Sequence, residues 1–128
     1  WTFAYWETNF AQSPVPRMIL KFDGTAWRPC PELMRRTPVD PVRAEALADR
    51  WRRFMAPGRG DQAEVAPWGP LLDLIYAGRA VQAWQLLDLA WPGDDSGRRK
   101  FRSRLLTELR GSPAWPALKA LNGASLED

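Results

Sequence analysis

Histidine is absent from this chain of 128 residues. That removes Ser-His-Asp and Cys-His nucleophiles, most zinc sites and any imidazole pH switch. There is one cysteine, Cys30. An intrachain disulfide and a multi-cysteine metal site are therefore both excluded, and Cys30 reads as a small packing residue near a turn. No apolar run approaches the roughly 20 residues that a membrane-spanning helix needs. The longest near-continuous stretch, Trp84 to Trp91, is broken by Gln85 and Asp88. Gly-rich phosphate loops, Ser-x-x-Lys and nucleophile-elbow motifs are missing as well.

What is present fits one globular domain. Hydrophobic residues make up 45% of the chain, which argues against disorder. The expected organisation is a single domain over residues 1–128, β-rich over 1–30 and helical over 31–128. Since the sequence begins at Trp1 rather than Met, we expect it to be a fragment of a longer chain. Net charge is +3, and arginine far outnumbers lysine. Eight tryptophans are unusually many. Tryptophan suits cores, protein interfaces and sugar platforms alike, so its abundance alone does not choose among them.

Along the chain, residues 1–8 (WTFAYWET) alternate in the manner of a strand. Met18–Phe22 and Thr25–Arg28 flank Asp23-Gly24, a strong signal for a hairpin with a type I′ turn. Together these segments predict a two- or three-stranded antiparallel sheet. Residues 31–36 (PELMRR) suit a single helical turn. Asp40-Pro41 is a helix start, with a capping carboxylate followed by a proline preset for the first position. That helix runs to about Met55, with Ala44, Leu47, Trp51, Phe54 and Met55 on one face.

Further helices are expected at about 70–77, 79–91, 97–110 and 114–121, separated by Gly78, Pro92-Gly93 and Gly111. Asp94-Asp95-Ser96 suits the N-terminal cap of the 97–110 helix. Leu86 and Leu89 broaden the apolar face of the 79–91 helix, which predicts packing on more than one side. The tail after Asn122 is expected to fray. The fold class is therefore α+β and mainly helical: a short N-terminal antiparallel hairpin or sheet, then five to six short α-helices.

The segment GRAVQAWQLLDLA, with Gly78, Ala83, Leu87 and Ala90, resembles the middle of a tetratricopeptide repeat. The resemblance covers about twenty residues and implies an antiparallel helix pair closely packed at Gly78. It departs from the family in the helix before Gly78, in the early Pro92 and in having no second copy, so it does not imply a repeat protein. The longer phrase LLDLIYAGRAVQAWQLLDLAWP, followed by FRSRLLTEL, is similar to the C-terminal region of uncharacterised bacterial exported proteins. No activity comes with that resemblance. The expected setting is the bacterial periplasm or cell envelope, with the cytoplasm left open.

Four constellations bear on function. The segment RRKFRSRLLTELR is the most basic, and Arg98, Arg99, Lys100, Arg104 and Arg110 are candidate phosphate contacts, with Arg35, Arg36, Arg52 and Arg53 in support. These cations scatter over a broad helix face, however, as on an ordinary solvated surface, and Arg102 falls beside the apolar face. Arg59-Gly60-Asp61 spells the integrin tripeptide, which short chains meet by coincidence. Asp94-Asp95 offers too few oxygens for a hard cation. Glu7, Glu32, Asp61, Glu64 and Asp73 are the carboxylates available for a carboxylate-only enzyme.

Trp1, Trp6 and Trp27 are candidate partner contacts on the outer face of the sheet. Trp68 and Trp115, near loops, are further candidates, although packing suits them equally. The leading functional expectation is a noncatalytic protein-interaction or structural module of a larger bacterial protein or assembly. It would bind a protein partner or the remainder of its own longer chain, without metal or cofactor. A nucleic-acid-binding module and a carboxylate-dependent enzyme are the alternatives.

Overall fold

A computed structural model describes residues 3, 6, 13–56 and 66–128. Among them are six α-helices and one two-stranded antiparallel sheet, a mainly helical α+β arrangement as expected. The sheet is β1 (Leu20–Phe22) and β2 (Trp27–Pro29). The helices are α1 (Pro31–Met34), α2 (Pro41–Phe54), α3 (Gly69–Tyr76), α4 (Ala80–Ala90), α5 (Asp95–Gly111) and α6 (Trp115–Asn122), followed by a 3₁₀ turn, Gly123–Leu126. The strand expected within residues 1–8 lies outside the described residues, apart from Phe3 and Trp6.

Local chemistry sets the helix starts. The Asp40 carboxylate accepts from the Arg43 N–H at 3.0 Å, and Pro41 occupies the first turn of α2. The Asp94 carboxylate accepts from the Gly97 N–H at 2.8 Å and opens α5. The α3–α4 corner is a Schellman motif: the Arg79 N–H donates to the Leu74 carbonyl and the Gly78 N–H to that of Ile75. Gly78 holds φ at +74°, and a Cβ placed there would lie 2.9 Å from Leu121 Cγ on α6. Glycine is required at this corner for both reasons.

The three-dimensional core forms where α4 packs on α2 and α3. Leu71, Leu72, Ile75, Leu87, Leu105, Leu109 and Leu118 are fully buried. Beside them, Phe101 of α5 is the hub of an aromatic cluster, with ring centroids 5.4 to 6.1 Å from Trp6, Trp51, Trp68 and Trp91. Edge-on and tilted contacts of this kind add to simple area burial.

Four expectations are corrected by this packing. The tail does not fray. Leu126 is fully buried, the Trp84 indole N–H donates to the Ser125 carbonyl at 2.9 Å, and Glu127 bridges Arg110 and Lys119. Met55 leaves the α2 face and is 44% exposed, because α2 ends at Phe54 and the buried positions are Ala48 and Trp51. On α4 only Leu86 is buried on the extra side, whereas Leu89 is exposed. The hairpin loop is four residues, Asp23 to Ala26, not two. One Asp23 carboxylate oxygen accepts from both the Thr25 and Ala26 N–H groups at 2.9 Å, which organises a wider turn around Gly24 at φ +97°.

Candidate interaction surface

The hairpin is built so that its two faces differ. Leu20 pairs with Pro29, Lys21 with Arg28 and Phe22 with Trp27. Because side chains alternate along a strand, Leu20, Phe22, Trp27 and Pro29 share one face and Lys21 and Arg28 the other. The first face is apolar and turned to solvent: Leu20, Phe22 and Trp27 are 45%, 51% and 67% exposed. The Phe22 and Trp27 rings meet across the strands with centroids 5.4 Å apart. On the second face Arg28 is ion-paired to Asp23. Hydrogen bonds from the Ala26 N–H, then Arg28 and the Thr25 N–H, hold the Asp23 carboxyl below its ordinary value.

The helical layer supports the hairpin from one end. Met18 and Ile19 pack on the core, Cys30 is buried, and Met34 of α1 is buried beside them. The Cys30 thiol donates to Glu32 at 3.1 Å, and this hydrogen bond lowers the Glu32 carboxyl. Arg35 reaches the Leu121 carbonyl at 3.1 Å, which ties the end of α1 to α6. The exposed aromatic face thus stands on an anchored base.

Of the described tryptophans proposed as partner contacts, only Trp27 lies on the hairpin. Trp6 is not on the outer face of the sheet. It packs edge-on against Trp68 and against Phe101, within the aromatic cluster. Trp68 is 4% exposed and belongs to the core, with its indole drawn in by Phe101 and Phe54. Trp115 is half-buried under Arg110 and Lys119, whose cations lie 5.7 and 5.9 Å from its ring. Trp1 lies outside the described residues, as do Arg59-Gly60-Asp61, Glu7 and Glu64. Phe22 and Leu20, exposed beside Trp27, are not among the residues that the sequence singles out. The signal was available in their alternation with Lys21, but such a pattern equally describes a strand facing a core.

The basic helix is largely engaged with its own fold. Arg98 bridges Asp88 at 2.7 Å and Asp95 at 2.8 Å, and Arg110 pairs with Glu127 at 2.8 Å. The Arg102 guanidinium lies 4.3 Å above the Trp84 ring, the stem-on-core placement its position predicts. Arg104 is exposed on the same helix, and Arg99 and Lys100 are exposed with no ion pair among the described residues. Arg52 is held by Asp49 at 2.9 Å and by Glu45 at 3.6 Å. Arg36 donates its backbone N–H to Ala77 and accepts from Arg79. The structure therefore does not gather these cations into one stripe.

Among the carboxylates, Asp73 lines two adjoining clefts of about 230 and 220 Å³ on either side of Leu47 and Pro70. Desolvation raises its carboxyl above the ordinary value, opposed by the Arg36 charge. Among the described residues no second carboxylate lines either cleft, and Glu32 is placed beside the hairpin instead. No group of three or more His, Cys, Asp or Glu side chains is arranged for metal binding among the described residues. Likewise, no described helix is long and apolar enough to cross a membrane. Comparison with family models, curated proteins and solved structures finds no match to this chain.

Proposed function

We propose that the chain is a noncatalytic interaction module that binds a protein partner through the apolar face of the β1–β2 hairpin. The observation that carries this reading is the solvent-facing Phe22–Trp27 pair with Leu20 beside it. Three large apolar side chains clustered on one small exposed surface are a costly arrangement in water, and such patches mark contact sites. Tryptophan near the centre of a patch is the residue that most often dominates an interface. The resemblance to exported bacterial proteins supports a periplasmic or envelope setting.

Photo-crosslinking in cells of the source organism tests the reading. A benzophenone amino acid at position 27 gives a discrete protein adduct, and the same group at exposed Arg99 gives none. An adduct at position 99 and none at position 27 would refute it. In parallel, titration of the chain with short single- and double-stranded nucleic acids between about 50 and 200 mM salt yields no saturable binding. Binding that collapses steeply across that range would instead move the contact to the basic side chains.

A further inference from the structure

The hairpin has two outer edges, and they are not equivalent. The Cys30 N–H donates to the Ile19 carbonyl at 2.9 Å and the Asp23 N–H to the Ala26 carbonyl at 3.1 Å. In an antiparallel ladder hydrogen-bonded and non-hydrogen-bonded pairs alternate. Lys21–Arg28 is therefore a bonded pair between the strands, while Leu20–Pro29 and Phe22–Trp27 are non-bonded pairs. The N–H and C=O groups of Leu20 and Phe22 point outward from β1. Among the described residues none of them has a hydrogen-bond partner. On β2 the matching edge lacks a donor at Pro29, which blunts it.

Lys21 lies between the two outward-facing residues and is exposed; its charge acts on the Glu32 carboxyl at a distance, without a direct ion pair among the described residues. A second copy of the chain, added antiparallel so that both Leu20 and Phe22 are bonded, would set Lys21 opposite Lys21. Like charges directly opposite destabilise a pair. The charge that complements this edge is a carboxylate between two apolar residues.

Building on the reading of the hairpin as the contact surface, we infer that the outer edge of β1 accepts an extended segment of a partner protein as a third antiparallel strand. That segment carries the pattern apolar–acidic–apolar. Its outer two residues exchange backbone hydrogen bonds with Leu20 and Phe22 and lay their side chains against the apolar face. Its central carboxylate meets Lys21 on the opposite face. This is strand addition, in which backbone bonds supply affinity and alternate side chains supply selectivity.

Panning a random heptapeptide phage library on the immobilised full chain tests the inference. The expected consensus has an acidic residue between two apolar ones. On Lys21→Glu the central position switches to lysine or arginine, and the original peptide binds about fivefold more weakly, the change from an attractive to a repulsive cross-strand pair. Leu20→Pro removes one outward N–H, which β1 does not use internally, so binding is lost while the far-ultraviolet circular dichroism is unchanged. The inference is overturned by panning that enriches nothing, by a consensus without the acid, or by undiminished binding to Leu20→Pro. Sedimentation showing a dimer that Leu20→Pro dissolves overturns it in favour of a second copy. Binding to phosphatidylglycerol vesicles in place of peptide overturns it in favour of a lipid surface. An adduct at position 27 alongside a consensus without the acid removes strand addition and leaves the hairpin surface intact.

Discussion

Replacing Gly78 with alanine tests how tightly the α3–α4 corner is pressed against α6. Two costs add. An L-residue at φ +74° is in left-handed backbone, which costs about 1–2 kcal/mol for alanine. The new methyl would lie 2.9 Å from Leu121 Cγ and 3.0 Å from Cδ1. Leu121 is 3% exposed and has little room to move, so overpacking adds about 1–3 kcal/mol. The sum is about 3 kcal/mol, or a fall in Tm of about 12 °C at roughly 4 °C per kcal/mol for a domain of this size. Urea denaturation followed by far-ultraviolet circular dichroism measures it.

A double-mutant cycle with Leu121→Ala separates the two costs. That change alone removes buried volume and destabilises by about 2–5 kcal/mol. In its presence the clash is gone, and Gly78→Ala costs only the backbone term of about 1–2 kcal/mol. The coupling between the two sites is thus favourable by about 1–3 kcal/mol. A Gly78→Ala cost that is the same in both backgrounds would refute the close-approach argument. A cost near zero in the native background would refute the strain argument as well.

Three further outcomes are expected. Leu126→Ala, in the tail, destabilises by about 2–5 kcal/mol because the side chain is fully buried; thermal denaturation checks this, and a change under 0.5 kcal/mol, the scale of an ordinary surface substitution, would mean the tail is undocked. The Asp23 carboxyl titrates below its ordinary value of 3.8, so the turn's contribution is intact above that pH and is lost as pH falls through the lowered value; the Thr25 and Ala26 amide shifts in NMR titration follow that lowered midpoint rather than the ordinary one. Asp73→Asn raises Tm at neutral pH, because desolvation penalises the charged form, and the gain shrinks as pH falls through the raised value toward the ordinary one; an unchanged Tm at pH 7 would contradict the desolvation.

Much of the architecture was written in local chemistry. Asp40-Pro41 and Asp94 set helix starts because a carboxylate satisfies free N–H groups within three residues, whatever lies elsewhere. Gly78 marked the α3–α4 corner because only glycine tolerates that backbone without strain. Apolar periodicity identified Trp51, Ala83, Leu87, Phe101, Leu105 and Leu109 as core. The hairpin was legible from Asp23-Gly24, although its loop length depended on how the Asp23 side chain shared itself between two N–H groups.

What tertiary structure alone decided were contacts between residues far apart in the chain. Asn122 accepts from the Ala80 N–H and donates to the Ile75 carbonyl, 42 and 47 residues away, and so joins the ends of α3, α4 and α6. No local pattern announces that role. The docking of Leu126 reversed the expectation of a frayed tail for the same reason. Whether an arginine on α5 faces an anion or its own fold depended on Asp88 lying on the neighbouring helix. Trp68 and Trp115 both stand beside prolines in loop-like sequence, and only packing separated the buried Trp68 from the half-buried Trp115. Sequence determines which groups need a partner within a turn or two of chain; the fold determines which distant group supplies it, and which apolar side chains are left exposed to solvent.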